Sequence, residues 1–320
     1  MIRFLKNIFF FFIPIIGASF VLDSFFSTKL KQQSTLVKGE YDVWDDIFEG
    51  KIKSDIIIIG SSRAWVHFNP SIITDKTKYS AYNIGLDGHP FFLQKTRFDV
   101  LKKYNKNPKL LIVSLESNSL FKRPDLYNHH QFLPYLRSNK EDLKKDLLQF
   151  KGFNSYDFEL PLTRFYGNFY ILKELFLNYK NTSKIRTKGF KGEEKEWTKD
   201  FEKAKKKFNS INVKVDEITS QKFKNFIKEN IKEDINVVLV YSPEYIEGQN
   251  FISNRDSIVD IYKNISKDNS IPFIDFSKDS ICYKKKYFYN ATHLNKKGAN
   301  LFTNKLIDTL KERKLIPLKK

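Results

Sequence analysis

The chain has 320 residues, long enough for one large domain with insertions or two smaller ones, and its 41% hydrophobic content supplies a sizeable core. The single cysteine, Cys282, excludes an internal disulfide and a Cys-rich metal site. The net charge of +19 fits either a general Lys-rich bias or attraction to an anionic partner such as phospholipid headgroups or an acidic polysaccharide; without a recognisable nucleic-acid module, no nucleic-acid partner is expected.

The first element is an apolar run without charge, Ile8 to Leu22, preceded by Arg3 and Lys6 and followed by Asp23. With its flanks, Phe4 to Phe26, a helix here is long enough to cross about 30 Å of hydrocarbon at about 1.5 Å per residue. Pro14 kinks such a helix without forbidding it. Three readings compete: an uncleaved anchor, a signal peptide cleaved near Gly17-Ala18-Ser19, and a buried core helix. The apolar residues beyond that site favour the anchor. Basic residues before the run place the amino terminus in the cytoplasm and the rest of the chain outside. Residues 1–27 are therefore read as a transmembrane anchor or signal segment, and 28–53 as a tether with a short helix near Tyr41–Phe48.

From residue 54 the pattern becomes that of an α/β domain. Asp55–Ile59 is β-branched and apolar on both faces, as a central parallel strand requires. Tyr79–Ile84, Leu110–Leu115, Asn236–Tyr241 and Phe273–Phe276 are further strand candidates. Helical spacing is read over Pro90–Tyr104, 253–267 and 295–313. Alternating strands and helices predict a parallel sheet covered on both faces, with all strand carboxyl ends on one edge, where ligands bind. Residues 120–232 interrupt this pattern with a long, aromatic, Lys-rich and mostly helical insertion, for example Lys140–Phe150 and Trp197–Phe208. Gly189-Phe190-Lys191-Gly192 is expected to be a mobile loop within it.

The chemistry-bearing residues follow the predicted strands. The first strand stops at Gly60 and presents Ser61 and Ser62 at its carboxyl end; His293 lies just before the last helix. A serine hydroxyl needs a base to become a nucleophile, and His293 is the best-placed candidate. Ser61 reads as a helix cap, and Arg63 as either a structural ion pair or a contact to an anionic substrate. His89 reads as a rim residue, and the adjacent His129 and His130 as surface, lacking a third ligand at metal spacing. Cys282 lacks a glycine turn to present it and reads as packing. No metal or cofactor is expected.

Four separated blocks together resemble the SGNH (GDSL-type) hydrolase family, over roughly residues 54–120 and 234–312. Gly60-Ser61-Ser62 matches the family's Gly-Asp-Ser, with Ser62 at the nucleophile position. Asn83-Ile84-Gly85-Leu86-Asp87-Gly88 is similar to its second block, with Gly88 at the position whose N–H faces the oxyanion. Glu116-Ser117-Asn118-Ser119 stands where the family carries Gly-x-Asn-Asp, which implies that the Asn118 amide is a third oxyanion donor beside the N–H groups of Ser62 and Gly88. Asn290-Ala291-Thr292-His293 corresponds to Asp-x-x-His, with Asn290 replacing the aspartate that orients the imidazole; Asp275 and Asp279 are the nearby carboxylates open as substitutes. The resemblance implies a flavodoxin-like three-layer sandwich spanning 54–320 with the insertion at 120–232. It implies a serine hydrolase that acts on esters through an acyl-enzyme, as esterase or O-acyltransferase. An acylated small molecule or a cell-envelope polysaccharide is the expected substrate, and the membrane the expected partner. The departures at Asn290 and in the third block keep a catalytically impaired binding or assembly protein open as an alternative.

Overall fold

A computed structural model describes residues 1–89, 91–123, 125–177 and 184–316. Its contacts divide the chain into two compact units, Met1–Asp45 with Pro124–Ile185, and Asp46–Arg123 with Arg186–Lys320.

In the first unit, α1 (Ile2–Lys31) is one continuous helix through Pro14. Of its side chains only Asp23, Ser27 and Leu30 are buried, while Phe9–Phe12 and Ile13–Ile16 are largely exposed. It is the one helix among the described residues long and apolar enough to cross a membrane. The segment after it, expected to be a tether with a short helix near Tyr41–Phe48, carries that helix as α2 (Glu40–Phe48), reached through a 3-10 turn at Ser34–Val37, and Leu30, Val37, Tyr41, Val43 and Trp44 are at most 1% exposed. The stretch looks polar because charged residues, Glu40 and Asp42, are buried along with its apolar ones.

The second unit is built on β1 (Ile56–Ile59), whose four isoleucines are all buried. It continues through α3 (Ser62–His67), α4 (Pro70–Thr77), β2 (Ala81–Asn83), α5 (Phe91–Tyr104) and β3 (Leu110–Leu115). Pro90, the expected start of α5, lies outside the described residues. The first unit then contributes α6 (Lys140–Leu147), α7 (Tyr156–Glu159) and α8 (Phe169–Leu177). The second resumes with α9 (Asp200–Lys207), α10 (Glu217–Lys232), β4 (Asn236–Tyr241), α11 (Ile246–Asn250), α12 (Arg255–Asp268), β5 (Phe273–Asp275) and α13 (Lys296–Glu312).

The sheet is entirely parallel, in the order β2-β1-β3-β4-β5, which is the flavodoxin-like arrangement expected. Ile58 stands opposite Asn83 on one side and Ile112 on the other. On one face Ile56, Ile58, Leu110, Ile112, Val238 and Val240 pack with Phe302, Leu306 and Leu310 of α13. On the other, α5 and α10 meet through Phe91, Phe98, Phe223 and Phe226, with ring centroids 4.9–5.6 Å apart, and α10 packs against β4.

Two details depart from expectation. Residues 217–232, read as part of the insertion, form the crossover helix between β3 and β4, because Phe223, Phe226 and Ile227 at helical spacing give it a face to bury on the sheet. The segment 189–192, expected to be mobile, lies along the open side of β2. There the Asn83 N–H donates to the Lys188 carbonyl at 3.0 Å, and Phe190 joins the core. Gly189 has φ 78°, and any Cβ there would collide with the Asn83 carbonyl, so only glycine permits this approach.

Candidate active site

The carboxyl end of β1 is shaped by close packing. A Cβ on Gly60 would stand 2.8 Å from those of Ala64 and Ser114, so the strand turns into α3 without room for a side chain. That turn leaves Ser62 at the first position of α3 and partly exposed. At the other end of the chain, Asn290 folds its side chain back over its own loop. Its Oδ1 accepts from the Thr292 N–H at 3.0 Å and the His293 N–H at 2.9 Å. Two amide donors on one atom identify that atom as the oxygen.

These two loops meet. His293 Nε2 lies 2.8 Å from Ser62 Oγ, and His293 Nδ1 lies 3.0 Å from Asn290 Oδ1. With the imidazole proton on Nδ1, that N–H donates to the Asn290 oxygen, which only accepts, with Thr292 Oγ1 also 3.0 Å from Nδ1, and the Nε2 lone pair turns to the Ser62 hydroxyl. The Tyr289 ring stacks on the His293 ring at 5.3 Å with planes 13° apart, which restricts its rotation. Asp275 and Asp279, the carboxylates considered as substitutes for Asn290, are engaged elsewhere. Asp275 accepts from the Ser277 N–H at 2.8 Å; Asp279 caps the following 3-10 turn and pairs with Lys305 at 2.7 Å.

Beside Ser62 is a cavity of about 80 Å³, walled by residues that include Ser61, Gly88, Glu116, Asn118 and Arg123. Gly88 (φ 73°) and Asn118 thus share one small space with Ser62, while His293 reaches Ser62 from outside that wall. The loop bearing Gly88 is held from beneath: the buried guanidiniums of Arg97 and Arg186 both donate to the Gly85 carbonyl, at 3.2 and 3.1 Å, and Arg123 donates to the Gly88 carbonyl at 3.0 Å. His89, expected at the rim, is only 1% exposed.

Several residues of the site were not read from the sequence. Ser61 makes no side-chain cap bond; its hydroxyl donates to Glu116. Burial pushes the Glu116 carboxyl up to about 7, against the nearby Arg63 cation and with help from the Glu244 and Asp87 charges. Arg63 is fully buried and pairs with Glu244 at 2.7 Å, which settles its reading as a structural ion pair. His67 is also fully buried. Its Nε2 accepts from the Leu294 N–H at 3.0 Å, so its proton is on Nδ1, which donates to Ser242 Oγ at 2.8 Å. Burial first, then the Arg63 and His293 charges, hold its pKa well below the usual histidine value, and it stays neutral. Arg63 donates to the same Ser242 Oγ from Nε at 3.2 Å and from Nη2 at 2.9 Å. The signal for this network was present in part: Arg63 and His67 are four residues apart, on one helix face.

The other singled-out residues lie away from this chemistry. Cys282 is buried, with its thiol pushed up to about 11 by burial. His129 and His130 are half-buried rather than at the surface; His129 Nε2 is 3.3 Å from Asn168 Oδ1, and His130 contacts the Tyr170 hydroxyl. Among the described residues no cluster of three metal-ligating side chains occurs.

No family model and no curated protein matches the chain. Solved structures similar to it include a G-D-S-L family protein from Desulfitobacterium hafniense and an acetyl xylan esterase. Each is 14% identical with a TM-score of 0.41, over 81% of this chain and 100% of the other. A GDSL-like lipase from Bacteroides thetaiotaomicron is 11% identical with a TM-score of 0.38, over 82% of this chain and 88% of its own. Likeness at this level carries no assignment of activity.

Proposed function

We propose that this chain is a serine hydrolase of the SGNH type that acts on ester bonds. The observation that carries the reading is the 2.8 Å approach of His293 Nε2 to Ser62 Oγ, across 231 residues of sequence. The distance lies within proton-transfer reach, and the tautomer imposed by Asn290 is the one a general base needs.

In this reading Ser62 Oγ attacks the ester carbonyl while its proton passes to His293 Nε2. The carbonyl oxygen becomes an oxyanion, stabilised by the N–H groups of Ser62 and Gly88 and the amide of Asn118. His293 returns the proton to the departing alkoxide, which leaves as an alcohol, and Ser62 carries the acyl group. Water, deprotonated by His293, then attacks the acyl-enzyme; the bond from the acyl carbon to Ser62 Oγ breaks, His293 returns the proton to Oγ, and the acid leaves, which completes an esterase cycle. A sugar hydroxyl in place of that water makes the same site an O-acyltransferase. With α1 as an uncleaved anchor, the site faces the cell envelope, where acylated polysaccharides are the substrates we assign.

A second reading is favoured by one observation. Asn290 can fix the tautomer but offers no charge to the imidazolium formed during the reaction, so the fold is also suited to binding an acylated ligand without turnover. A fluorophosphonate probe separates the two. Labelling of the wild-type chain that Ser62→Ala abolishes, with loss of p-nitrophenyl acetate hydrolysis by about 10³-fold or more, is the expected outcome. A folded protein that resists the probe supports the binder instead. A Ser62→Ala protein with full hydrolytic activity removes the enzyme proposal.

A further inference from the structure

We propose that the first unit contains a binding site for the phosphate of an anionic lipid headgroup, formed by Arg137, Arg164 and Lys31 beside α1. The proposal rests on the reading of α1 as a membrane anchor.

The site is a cavity of about 340 Å³ whose wall includes Phe20, Asp23, Ser27, Lys31, Arg137 and Arg164. Three cations therefore meet one carboxylate on this wall. That carboxylate is already shared: Asp23 Oδ2 accepts from Arg137 Nη1 and, at 2.8 Å, from Arg164 Nη2, while Oδ1 accepts from the Leu162 N–H at 2.8 Å. Lys31 is 3.3 Å from Asp45 and still a third exposed.

Arg164 is the informative member. It is only 3% exposed, and Nη2 also donates to Ser27 Oγ at 2.7 Å. Its Nε and Nη1 are buried without a hydrogen-bond partner among the described residues. A guanidinium has five N–H donors and satisfies them best against planar or tetrahedral oxyanions. Two buried nitrogens with three unpaired N–H donors, beside an excess of positive charge, describe a site that lacks an anion.

The position says which anion. Asp23 is the first charged residue after the run Ile8–Leu22, so the cavity begins where α1 would leave the hydrocarbon. Arg137 lies over the Phe20 ring, 4.7 Å from its centroid, pairing an aromatic with a cation as residues at the headgroup level do. The phosphate concentrated at that level is that of the lipid itself. Inorganic phosphate shares the chemistry but lacks the acyl chains that would lie along the exposed apolar face of α1.

The test uses the full chain, purified in a neutral detergent, with bound lipid read by native mass spectrometry and by the shift in melting temperature. Phosphatidylglycerol is expected to be retained and to raise the melting temperature, and phosphatidylcholine and inorganic phosphate to do neither at the same concentration. Arg137→Gln should weaken retention about tenfold or more, and Arg137→Lys, which keeps the charge, should restore most of it. Equal retention of the neutral and anionic lipids, or full retention by a folded Arg137→Gln protein, overturns the site. Stabilisation by inorganic phosphate equal to that by phosphatidylglycerol overturns the lipid as its source. A chain that stays monodisperse in water without detergent overturns the membrane reading instead, and ester hydrolysis on the same preparations reports on the Ser62 proposal separately.

Discussion

At Asn290 one atom serves four hydrogen bonds: three, from the Thr292 N–H and hydroxyl and the His293 N–H, hold the loop, and one orients the His293 ring. Asn290→Asp keeps an acceptor at that position and adds a negative charge facing the imidazolium. If Ser62 and His293 work as proposed, kcat/KM on an acetyl ester should rise about 10- to 100-fold, or about 1.4–3 kcal/mol of transition-state stabilisation. An unchanged or lower rate in a folded variant would mean that orientation alone is what the site requires. Glu116 supplies a pH dependence. Its carboxyl, pushed up to about 7 chiefly by burial, shares the small cavity with Ser62. Below that pH it is neutral; above it, its charge opposes a developing oxyanion. The rate should therefore fall as pH rises through about 7, and Glu116→Gln should remove this descending limb from the kcat/KM profile. Stability follows the same sign. The folded state holds a proton that the unfolded chain releases near the ordinary glutamate value, so the contribution is complete at pH below about 4.3 and is lost as pH rises through about 7. At pH 8 the glutamine variant should accordingly be more stable, by about 3 kcal/mol, in chemical denaturation.

The short helix α3 does more than present Ser62. Its other face carries Arg63 and His67, which converge on Ser242 just past the end of β4, and His67 also holds the Leu294 N–H beside His293. One helical turn thus joins the strand that ends before Ser62 to the loop of His293. The sequence exposed the two chemical ends of this arrangement, because a serine after a glycine-terminated strand and a histidine before a helix are local patterns. It did not expose the middle. Arg63 reaches its partners across 179 residues, and nothing local to Ser242 or Glu244 marks them as the acceptors of a buried cation. Arg63→Ala leaves the Glu244 charge buried without its partner, apart from the Tyr241 hydroxyl at 2.8 Å. The expected cost is about 3–5 kcal/mol in urea denaturation. Adding Glu244→Ala should recover part of it, and additive losses in the double variant would argue against coupling between the two.

Across the whole molecule, legibility followed how local the cause of each element is. The parallel strands could be read because runs such as Ile56–Ile59 and Leu110–Leu115 are apolar on both faces, a pattern few other environments tolerate. The carboxyl-terminal end of the insertion read at 120–232 could not be placed, because a helix with one apolar face looks alike whether it lies in an insertion or covers a sheet; only its partner decides. The same reasoning locates where α1 changes from appendage to structure. Residues 2–22 bury almost nothing, whereas Asp23, Ser27 and Leu30 are all buried, and Asp23 neutralises part of the charge of Arg137 and Arg164. Removing residues 1–20 should therefore leave the first unit folded, with residues 125–177 resistant to trypsin. Removal through residue 31 deletes the Asp23 carboxylate and the Leu30 side chain, leaving Arg164 buried against no counter-charge on that wall. That unit should then open, with rapid cleavage within 125–177 and loss of its share of the heat absorbed on melting, while the α/β unit, whose sheet and core lie wholly within its own residues, keeps its own transition. Equal protease resistance of the two truncations would show that the carboxyl-terminal end of α1 contributes nothing to the first unit.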